Sequence, residues 1–331
     1  MKYNVAIVGA TGKIGRTFLQ ILEDRNFPIK NLYLYASKKS AGTILKFKNE
    51  NLEVMELNEE NILNDIDFAF FSAKGDTSSK FSPIFAKKNT IVIDNSSTFR
   101  MDKDVPLVVP EVNVKDALTH NGIIANPNCS TIQAVVALKP LHDRFKIKRI
   151  IYSTYQAVSG AGNYGILDLN VDDEKNLQKF QYLIKGNLIP QIDSFLENGY
   201  TKEEMKMINE TKKILKDSSL NITATCVRVP VENGHSESIN VEFENEITLD
   251  EIFDTLKNSK GLSVIDDTKN NCYPMPLYIS GKDDVYVGRI RLDESCKNAI
   301  NMWVVSDNIL KGAALNAVQI AEYIIKNKGE N

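Results

Sequence analysis

Asn4-Val-Ala-Ile-Val-Gly9-Ala-Thr-Gly12-Lys-Ile-Gly15 stands almost at the start of this 331-residue chain. Apart from Asn4, residues 4–8 are apolar, as expected of a strand buried on both faces. The three glycines suit a tight turn, a pyrophosphate close to the backbone, and a helix packed closely on a sheet. The spacing is Gly-x-x-Gly-x-x-Gly, not the strict Gly-x-Gly-x-x-Gly fingerprint. A plain strand–helix turn therefore stays as the alternative interpretation.

The residues that follow continue the same pattern. Residues 17–22 show helical spacing of apolar side chains, and residues 31–35, 67–72 and 90–94 are short apolar strands. Strands and helices that alternate with short connections predict a parallel sheet with helices on both faces. The first part of the chain is thus predicted to be α/β, a Rossmann-type doubly wound domain.

The end of the second strand bears on the choice of nucleotide. NAD-binding domains usually place an acidic residue there to hold the ribose 2′-hydroxyl. This chain has Ser37-Lys-Lys-Ser40 instead, whose charge and hydroxyls suit a 2′-phosphate. NADP is the predicted cofactor, and a solvated lysine pair is the alternative.

The second part of the chain has a different pattern. Longer strands are predicted over residues 149–158, 221–229, 238–244 and 286–292. In the third of these, apolar and polar side chains alternate, as expected when one face of a sheet is wet. Helices are predicted over residues 201–215, 249–258 and 308–327. This part is predicted to be an α+β domain with a mixed or antiparallel sheet.

Composition excludes several classes of protein. The net charge is −3, with 43% hydrophobic and 25% charged residues, and there is no basic stripe for nucleic acid. The apolar runs are too short to cross a membrane. The four cysteines show no C-x-x-C spacing, so no metal site or disulfide framework is expected. The chain enters a strand at once with no signal peptide, which predicts a cytoplasmic protein.

The stretch Asn126-Pro-Asn-Cys129-Ser-Thr131 places one cysteine between a turn and an amphipathic segment. Ser130 or Thr131 is predicted to cap the helix that follows. The positive end of a helix dipole favours the thiolate, and a thiolate is a natural nucleophile for acyl transfer. The alternative is that Cys129 is a buried small hydrophobe.

Other polar residues stand where chemistry could use them. Gln156 ends a predicted strand just before Ser159-Gly-Ala-Gly162, and Arg100 follows another strand. Each could contact a ligand, although a plain turn and a surface ion pair are equally simple explanations. Glu210 and Lys213 share one helix face at i,i+3, which is more often only a surface pair.

Histidine is the side chain best suited to proton transfer near neutral pH. The chain has three, of which His120 and His142 are predicted to be surface residues. His235 lies in a loop just before a strand and follows Gly234. It is therefore the candidate acid/base, and a structural role is the alternative.

Taken together, these motifs resemble the aspartate-β-semialdehyde dehydrogenase family. They occur in that family's order and cover nearly the whole chain. The matching segments are residues 9–15, 94–97, 109–113, 126–131, 155–160, 209–213, 228–231, 234–236 and 311–314.

The resemblance implies an NADP-binding Rossmann domain over residues 1–128, with the helix at 308–327 packing back on it, and a catalytic and dimerisation domain over 129–307. It implies NADPH-dependent reductive dephosphorylation of L-aspartyl-4-phosphate to L-aspartate-4-semialdehyde, at the branch point to lysine, methionine and threonine. Expected partners are aspartyl phosphate, aspartate semialdehyde, phosphate and a second copy of the chain, as a homodimer or dimer of dimers. No metal, nucleic acid or membrane is expected.

The resemblance also implies a role for individual residues. Cys129 would be the nucleophile, His235 the acid/base, and Gln156 the residue that orients the acyl intermediate. The implied substrate residues are Arg228, Glu210 and Gln156, and the phosphate residues are Arg100, Asn128 and Lys213. The implied cofactor residues are Gly9, Thr11, Gly12, Lys13, Ile14, Lys39, Ser40, Ser159, Gly160 and Asn308. Many relatives have arginine where this chain has Lys39, and a lysine grips a phosphate less firmly, so the resemblance does not set the strength of the NADP preference.

Two alternatives remain at this stage. N-acetyl-glutamyl-phosphate reductase uses the same chemistry but typically has glycine where this chain has Asn128. A carboxylate at Glu210 suits a free ammonium better than an acetylated nitrogen. A non-catalytic Rossmann regulatory protein is the other alternative, and the set Cys129, Arg228 and His235 argues against it.

Overall fold

The structure is a computed structural model that describes residues 1–327. Contacts divide the chain into two compact units, one of residues 1–127 with the chain from 313 onward, and one of residues 128–312. The predicted boundaries lie after residue 128 and at residue 308.

The strands alternate with helices in the first unit and gather into a second sheet in the other. The strands are β1 (Tyr3–Val8), β2 (Ile29–Ala36), β3 (Ile44–Phe47), β4 (Glu50–Glu56), β5 (Phe68–Phe71), β6 (Ile91–Asp94), β7 (Ile123–Ala125), β8 (Ile147–Gln156), β9 (Asn221–Arg228), β10 (His235–Phe243), β11 (Leu262–Val264), β12 (Val285–Leu292) and β13 (Ala299–Ser306).

The helices range from a single turn to 17 residues. They are α1 (Lys13–Asp24), α2 (Gly75–Lys87), α3 (Pro110–Asn113), α4 (Cys129–Phe145), α5 (Asn163–Asp168), α6 (Lys202–Leu215), α7 (Leu249–Lys257), α8 (Pro276–Ile279) and α9 (Leu315–Asn327).

The first unit is built on a seven-stranded sheet in the order β3-β4-β2-β1-β5-β6-β7, parallel except for β3. All four residues of β5 are buried. Phe70 stacks on Phe18 of α1, and Phe71 meets Phe85 of α2 edge-on. Phe70 and Phe71 are successive residues of one strand, so their side chains point to opposite faces of the sheet. Helix α1 therefore covers one face and α2 covers the other. The predicted doubly wound domain is confirmed.

The glycine turn follows β1 directly. Gly9 has φ +83°, and the N–H groups of Gly9 and Ala10 donate to the carbonyl of Tyr35 at 2.8 and 3.1 Å. A Cβ on Gly15 would lie 2.3 Å from the Gly9 carbonyl oxygen. The first glycine is therefore needed for its backbone conformation and the third for close packing. Helix α1 begins at residue 13 and not at the predicted 17.

The second unit is built on a six-stranded mixed sheet in the order β11-β12-β13-β10-β8-β9. Helices α4, α6 and α7 contact this sheet. On β10, the buried residues Ile239 and Val241 alternate with the half-buried Ser238 and Asn240. One face is therefore covered and the other is open, as the predicted alternation required.

The C-terminal helix differs from its prediction. It was predicted as one helix from residue 308, but a π-helical turn spans Leu310–Ala314, and α9 begins only at Leu315. Asp307 caps this turn, because its Oδ1 accepts from the N–H groups of Ile309 and Leu310, both at 2.8 Å. Helix α9 packs on α1, α3 and β6 of the first unit.

Candidate active site

Cys129 is the first residue of α4 and is half-buried. The residue that caps this helix is Asn128, and not Ser130 or Thr131 as predicted. The Asn128 Oδ1 accepts from the N–H groups of Ser130 and Thr131 at 3.0 and 3.2 Å. A cap must precede the first helical residue, and α4 begins two or three residues earlier than a cap at Ser130 or Thr131 would place it. Cys129 therefore lies at the first turn, where the helix dipole is strongest.

Two carboxylates of α6 fix this end of α4. The Asn128 N–H donates to Glu210 Oε2 at 2.7 Å, and Asn128 Nδ2 donates to Glu203 Oε1 at 2.8 Å. Glu210 was predicted on the substrate, and in the structure it accepts from the backbone beside Cys129. Lys213 lies on the same helix and is half-buried. Asn128 was predicted on phosphate, and its oxygen is engaged in capping, so only Nδ2 could serve an anion.

Gln156 is the last residue of β8 and is buried. Its Nε2 donates to Ser130 Oγ at 2.6 Å and to Glu203 Oε1 at 3.2 Å. Glu203 was missed by the sequence analysis. The only signal was the capping box of Thr201 and Glu204, which places residue 203 in the first turn of α6.

His235 is the first residue of β10 and is fully buried. Its Nδ1 accepts from the Ala157 N–H at 3.0 Å, so the proton of the neutral ring sits on Nε2. Nε2 itself has no hydrogen-bond partner among the residues that the structure describes. Burial and the charge of Arg228 lower the pKa of His235 well below its ordinary value. The imidazole is therefore neutral at pH 7, with Nε2–H as a donor for a reacting group.

Arg228 is the last residue of β9, and its Nη1 donates to the Ala157 carbonyl at 2.7 Å. Burial lowers the pKa of the guanidinium, and Glu203 and Cys129 oppose the shift. A Cβ on Gly160 would lie 3.1 Å from Arg228 Nη1 and 3.2 Å from His235 Nε2. The side chains of Arg228 and His235 therefore meet at Gly160, and only a residue without a side chain leaves that space open.

A pocket of about 180 Å³ opens beside Arg228. It is lined by Ala161 and by two loop segments, 179–182 and 189–193. The buried carboxylate of Asp168 orders the first segment, because it accepts from the N–H groups of Gln178, Lys179 and Phe180 at 2.8–2.9 Å. This loop was not predicted, because its sequence has no helical or strand periodicity.

Gly312 is another site residue that the sequence did not reveal. It lies in the π-helical turn, and a Cβ there would be 2.9 Å from the Cys129 Cβ. Turns of this kind are rare and frequent at functional sites. The turn brings a backbone without a side chain against the thiol-bearing residue.

Ser159 and Asn308, both predicted to face the cofactor, hydrogen-bond each other. Asn308 Nδ2 donates to Ser159 Oγ at 3.0 Å, and Asn308 Oδ1 accepts from the Gly234 N–H at 2.9 Å. The pair thus ties the loop after β8 to the residue that precedes His235. Their role toward a cofactor stays a prediction.

The first unit contains the remaining predicted residues. No side chain caps α1, and Thr11, Lys13 and Ile14 flank its start beside Gly12. Lys39 is exposed on a 3-10 turn after β2, and Ser40 is half-buried. In the same unit, Arg100 is buried and donates to the carbonyls of Asn126 and Asn95 at 3.0 and 2.8 Å.

The prediction that His142 lies on the surface is wrong. It is 7% exposed, and its Nδ1 accepts from the Ile147 N–H at 3.2 Å. Burial lowers its pKa, although Asp217 opposes the shift. Charged neighbours in the sequence suggested exposure, but the ring turns inward at the end of α4.

Within the described residues, no three metal-binding side chains cluster, and no helix is long and apolar enough to cross a bilayer. The cysteines form no disulfide there. Cys226 is buried, and burial raises the pKa of its thiol. Cys129 is thus distinguished from Cys226 by its place at a helix start.

A doubly wound nucleotide-binding domain is combined here with a thiol at a helix start, whose charge acts on a buried arginine, and with a buried histidine that meets this arginine at Gly160. This combination is typical of a thiol-dependent dehydrogenase. Family models match residues 4–120, as the NAD binding domain of semialdehyde dehydrogenases, and residues 138–311, as their dimerisation domain. The aspartate-semialdehyde dehydrogenase of Aquifex aeolicus is 55% identical over 98% of this chain and 99% of its own, and that of Bacillus subtilis is 49% identical over 98% and 97%.

Solved structures agree. Aspartate semialdehyde dehydrogenase II from Vibrio cholerae, solved also as a complex with ASA, matches with a TM-score of 0.94 and 46% identity over 98% of this chain and 99% of that one. The Candida albicans enzyme, solved with NADP, matches with a TM-score of 0.78 and 27% identity over the same shares of the two chains. The chain belongs to the aspartate-semialdehyde dehydrogenase family and is an oxidoreductase.

Proposed function

We propose that this protein reduces L-aspartyl-4-phosphate to L-aspartate-4-semialdehyde with NADPH and releases phosphate. The observation that carries the proposal is Cys129 at the capped start of α4, in one unit with Gln156, Arg228 and a neutral His235. The reaction serves the synthesis of lysine, including its diaminopimelate route, and of methionine and threonine.

The nucleophile in the proposed mechanism is the Cys129 thiolate. Its sulfur attacks the acyl carbon, the bond from that carbon to the phosphate oxygen breaks, and a thioester remains. When bound, NADPH would supply the hydride to the thioester carbon, and the carbon–sulfur bond would then break to give the aldehyde and return the Cys129 thiolate. The His235 Nε2–H stabilises the negative oxygen of the tetrahedral adducts by donating a hydrogen bond to it. The same ring is the acid/base that gives or takes a proton as these adducts form and break down.

The substrate is held by charge. Arg228 has five N–H donors, and Ala157 uses one on Nη1, so the guanidinium can still grip the α-carboxylate. Glu210 attracts the free ammonium, and Gln156 orients the acyl group. Arg100, Lys213 and Asn128 Nδ2 serve the phosphate.

The glycine turn fits a dinucleotide. The positive φ of Gly9, the contact of Gly15 with the turn, and a helix start without a side-chain cap leave backbone N–H groups for a pyrophosphate. Lys39 and Ser40 would meet the 2′-phosphate. Thr11, Lys13, Ile14, Ser159, Gly160 and Asn308 complete the proposed cofactor contacts.

The second unit also accounts for assembly. The open face of its sheet carries Tyr155, Ser238 and Trp303, beside Arg289 and Arg291. Apolar rings with a polar rim suit a protein interface, and we infer a homodimer, or a dimer of dimers, through this face. The four cysteines form no disulfide in the described part of the chain, which suits a reducing compartment such as the cytoplasm.

The test is an assay in the direction of NADP reduction. Aspartate semialdehyde, phosphate and NADP should give NADPH, whereas N-acetyl-glutamate semialdehyde should not. Turnover of the acetylated substrate alone would refute the assignment of Glu210 to a free ammonium.

Cys129→Ser should abolish this activity and leave the melting temperature and NADP binding unchanged, because the thiol is needed for chemistry and not for packing. Cys272→Ser, which changes an exposed cysteine, is the matched control and should remain active. Wild-type rates in Cys129→Ser would exclude a thioester.

A further inference from the structure

Glu203 is a carboxylate inside the protein without a role in the reaction described so far. It lies in the first turn of α6 and is 5% exposed. Its Oε1 accepts from Asn128 Nδ2 at 2.8 Å and from Gln156 Nε2 at 3.2 Å, and its Oε2 accepts from Lys206 Nζ at 3.1 Å. One buried carboxylate therefore joins the cap of α4 to the residue that orients the acyl group.

The charge of Glu203 is maintained by its surroundings. Burial raises its pKa, but Lys206 and the hydrogen bonds from Asn128 and Gln156 outweigh burial and lower the pKa overall. Lys206 is itself held by Asp193 at 2.9 Å. Asp193 lines the pocket beside Arg228, so the chain of contacts runs from that pocket to Cys129.

An anionic acceptor selects one orientation for each amide. The Gln156 amide has two N–H donors, and both are directed to Ser130 Oγ and Glu203 Oε1. If the amide were rotated by half a turn, its oxygen would face the carboxylate and be repelled. The Gln156 carbonyl oxygen is thus the group that is left to meet a substrate.

Glu203 fixes the orientation of the Asn128 amide in the same way. Its Nδ2 is drawn to Glu203, which leaves Oδ1 directed at the N–H groups of Ser130 and Thr131. A rotated amide would place Nδ2 against those N–H groups and uncap the helix that begins at Cys129. Glu203 therefore acts on the nucleophile through Asn128 and on the acyl group through Gln156.

We propose that Glu203 is a positioning residue whose carboxylate, held by Lys206, sets the side-chain amides of Gln156 and Asn128 around Cys129. This inference rests on the proposed function for its kinetic tests. Its structural test does not depend on that function.

The first test is a double-mutant cycle. Glu203→Gln retains the volume, but its amide cannot accept from Lys206 and from both neighbours at once. We expect kcat to fall about tenfold or more, since hydrogen bonds to a charged group are lost, and KM for aspartate semialdehyde to change less than threefold. In a Gln156→Ala background, Glu203→Gln should lower kcat far less, because the residue through which it acts is gone.

The matched control is Glu204→Gln. Glu204 is the next residue and is similarly buried, but it accepts from the backbone N–H groups of Thr201 and Cys226 at 2.6 and 3.0 Å. It should lower the melting temperature without lowering kcat. Equal falls in kcat for both variants, or independent effects in the cycle, would overturn the proposal.

A milder variant covers the case in which Glu203→Gln does not fold. Lys206→Met removes the cation that stabilises the carboxylate and should move the acid limb of kcat to higher pH, and Lys206→Arg should restore it. Other charged or titratable groups that act on or near this carboxylate are Arg228 and Cys226 of β9 and Glu237 of β10, and none of them is altered. An unchanged pH profile in Lys206→Met would contradict the proposal.

A crystal structure of Glu203→Gln separates this inference from the proposed function. If the wild type fails to turn over aspartate semialdehyde, the proposed function is refuted. The positioning role is still tested, because it depends only on where the side chains of Gln156 and Asn128 lie in the variant. We expect at least one of the amides of Gln156 and Asn128 to rotate or lose its contact. If both keep their wild-type hydrogen bonds to Ser130 and Thr131, Glu203 does not position them.

Discussion

At the residue scale, two backbone groups of Ala157 organise the site. The N–H donates to His235 Nδ1 and the carbonyl accepts from Arg228 Nη1. One peptide segment after β8 thus sets both the tautomer of the histidine and the direction of the guanidinium. The proposed reaction needs a neutral hydrogen-bond donor, His235, and a fixed cation, Arg228. The two hydrogen bonds to the Ala157 backbone hold both in place.

Gly160→Ala tests the space between these two side chains. A methyl group at 3.1–3.2 Å from Arg228 Nη1 and the His235 ring would push both aside. We expect kcat/KM to fall about tenfold to a hundredfold, as for small misplacements of reacting groups. Gly199→Ala, at an exposed turn with φ +82° and nothing within 4 Å, should cost stability and leave kcat/KM unchanged. Full activity in Gly160→Ala would mean that the space is not used.

Arg228→Lys tests substrate binding. A lysine cannot reproduce the planar fork that grips a carboxylate, so KM for aspartate semialdehyde should rise, with a loss of about 2 kcal/mol in kcat/KM. A small fall in melting temperature is expected as well, because the Ala157 carbonyl loses its partner. Arg149→Lys, an exposed change on β8, is the control. Unfolding of Arg228→Lys with an unchanged KM would make the residue purely structural.

At the scale of elements, strongly periodic segments and one capping box were predictable, and segments of low helix propensity were not. The capping box of Thr201 and Glu204 marks the start of α6, which was predicted over residues 201–215 and spans Lys202–Leu215. Helix α2 was missed, because Ser78, Ser79 and Pro83 lie inside it and disfavour a helix. Packing of Phe81 and Phe85 in the core outweighs that propensity.

Lys39→Glu tests the 3-10 turn after β2. An exposed lysine there should attract a 2′-phosphate, and a carboxylate should repel it. KM for NADP should rise about tenfold or more, with little change for NAD. Lys46→Glu, an exposed change on β3 of the same unit, controls for net charge. If both variants weaken NADP equally, or if wild type uses NAD equally well, Lys39 is only a solvated residue.

At the scale of the whole molecule, an acid inside the second unit couples folding to pH. Glu237 of β10 is fully buried, and neither of its oxygens has a hydrogen-bond partner in the part of the chain that the structure describes. Burial raises its pKa well above the ordinary value. Gln133 opposes the shift, although its side chain lies beside Glu237 without meeting the geometry of a hydrogen bond. Glu237 is thus uncharged in the fold at neutral pH.

Glu237→Gln should therefore stabilise the protein more at pH 8 than at pH 5. The unfolded carboxyl ionises above its ordinary pKa of 4.5 while the folded one stays protonated, so its contribution to stability is complete below that pH and falls as pH rises. Each unit of pKa difference corresponds to about 1.4 kcal/mol. Urea unfolding at pH 5 and pH 8 measures the effect, with Glu242→Gln on the open face of β10 as control. An equal change at both pH values would contradict it.

The sequence by itself determined the class of each domain, the glycine turn, the candidate nucleophile and the candidate acid/base. These follow from local rules, because buried strands, capped helices and a thiol at a helix start are each encoded within a few neighbouring residues. Its resemblance to a family supplied the predicted roles of Arg228 and Glu210 before any contact was known, and these roles stay predictions.

Only the tertiary structure decided which groups touch. Glu203 reaches Asn128 and Gln156 across 75 and 47 residues of chain, and Gly312 meets Cys129 through a π-helical turn. No local pattern marks such pairs, since hydrogen bonds and close packing between distant segments depend on where the sheet and helices bring them. The protonation state of His235 belongs to the same class, because burial and a neighbouring cation set it.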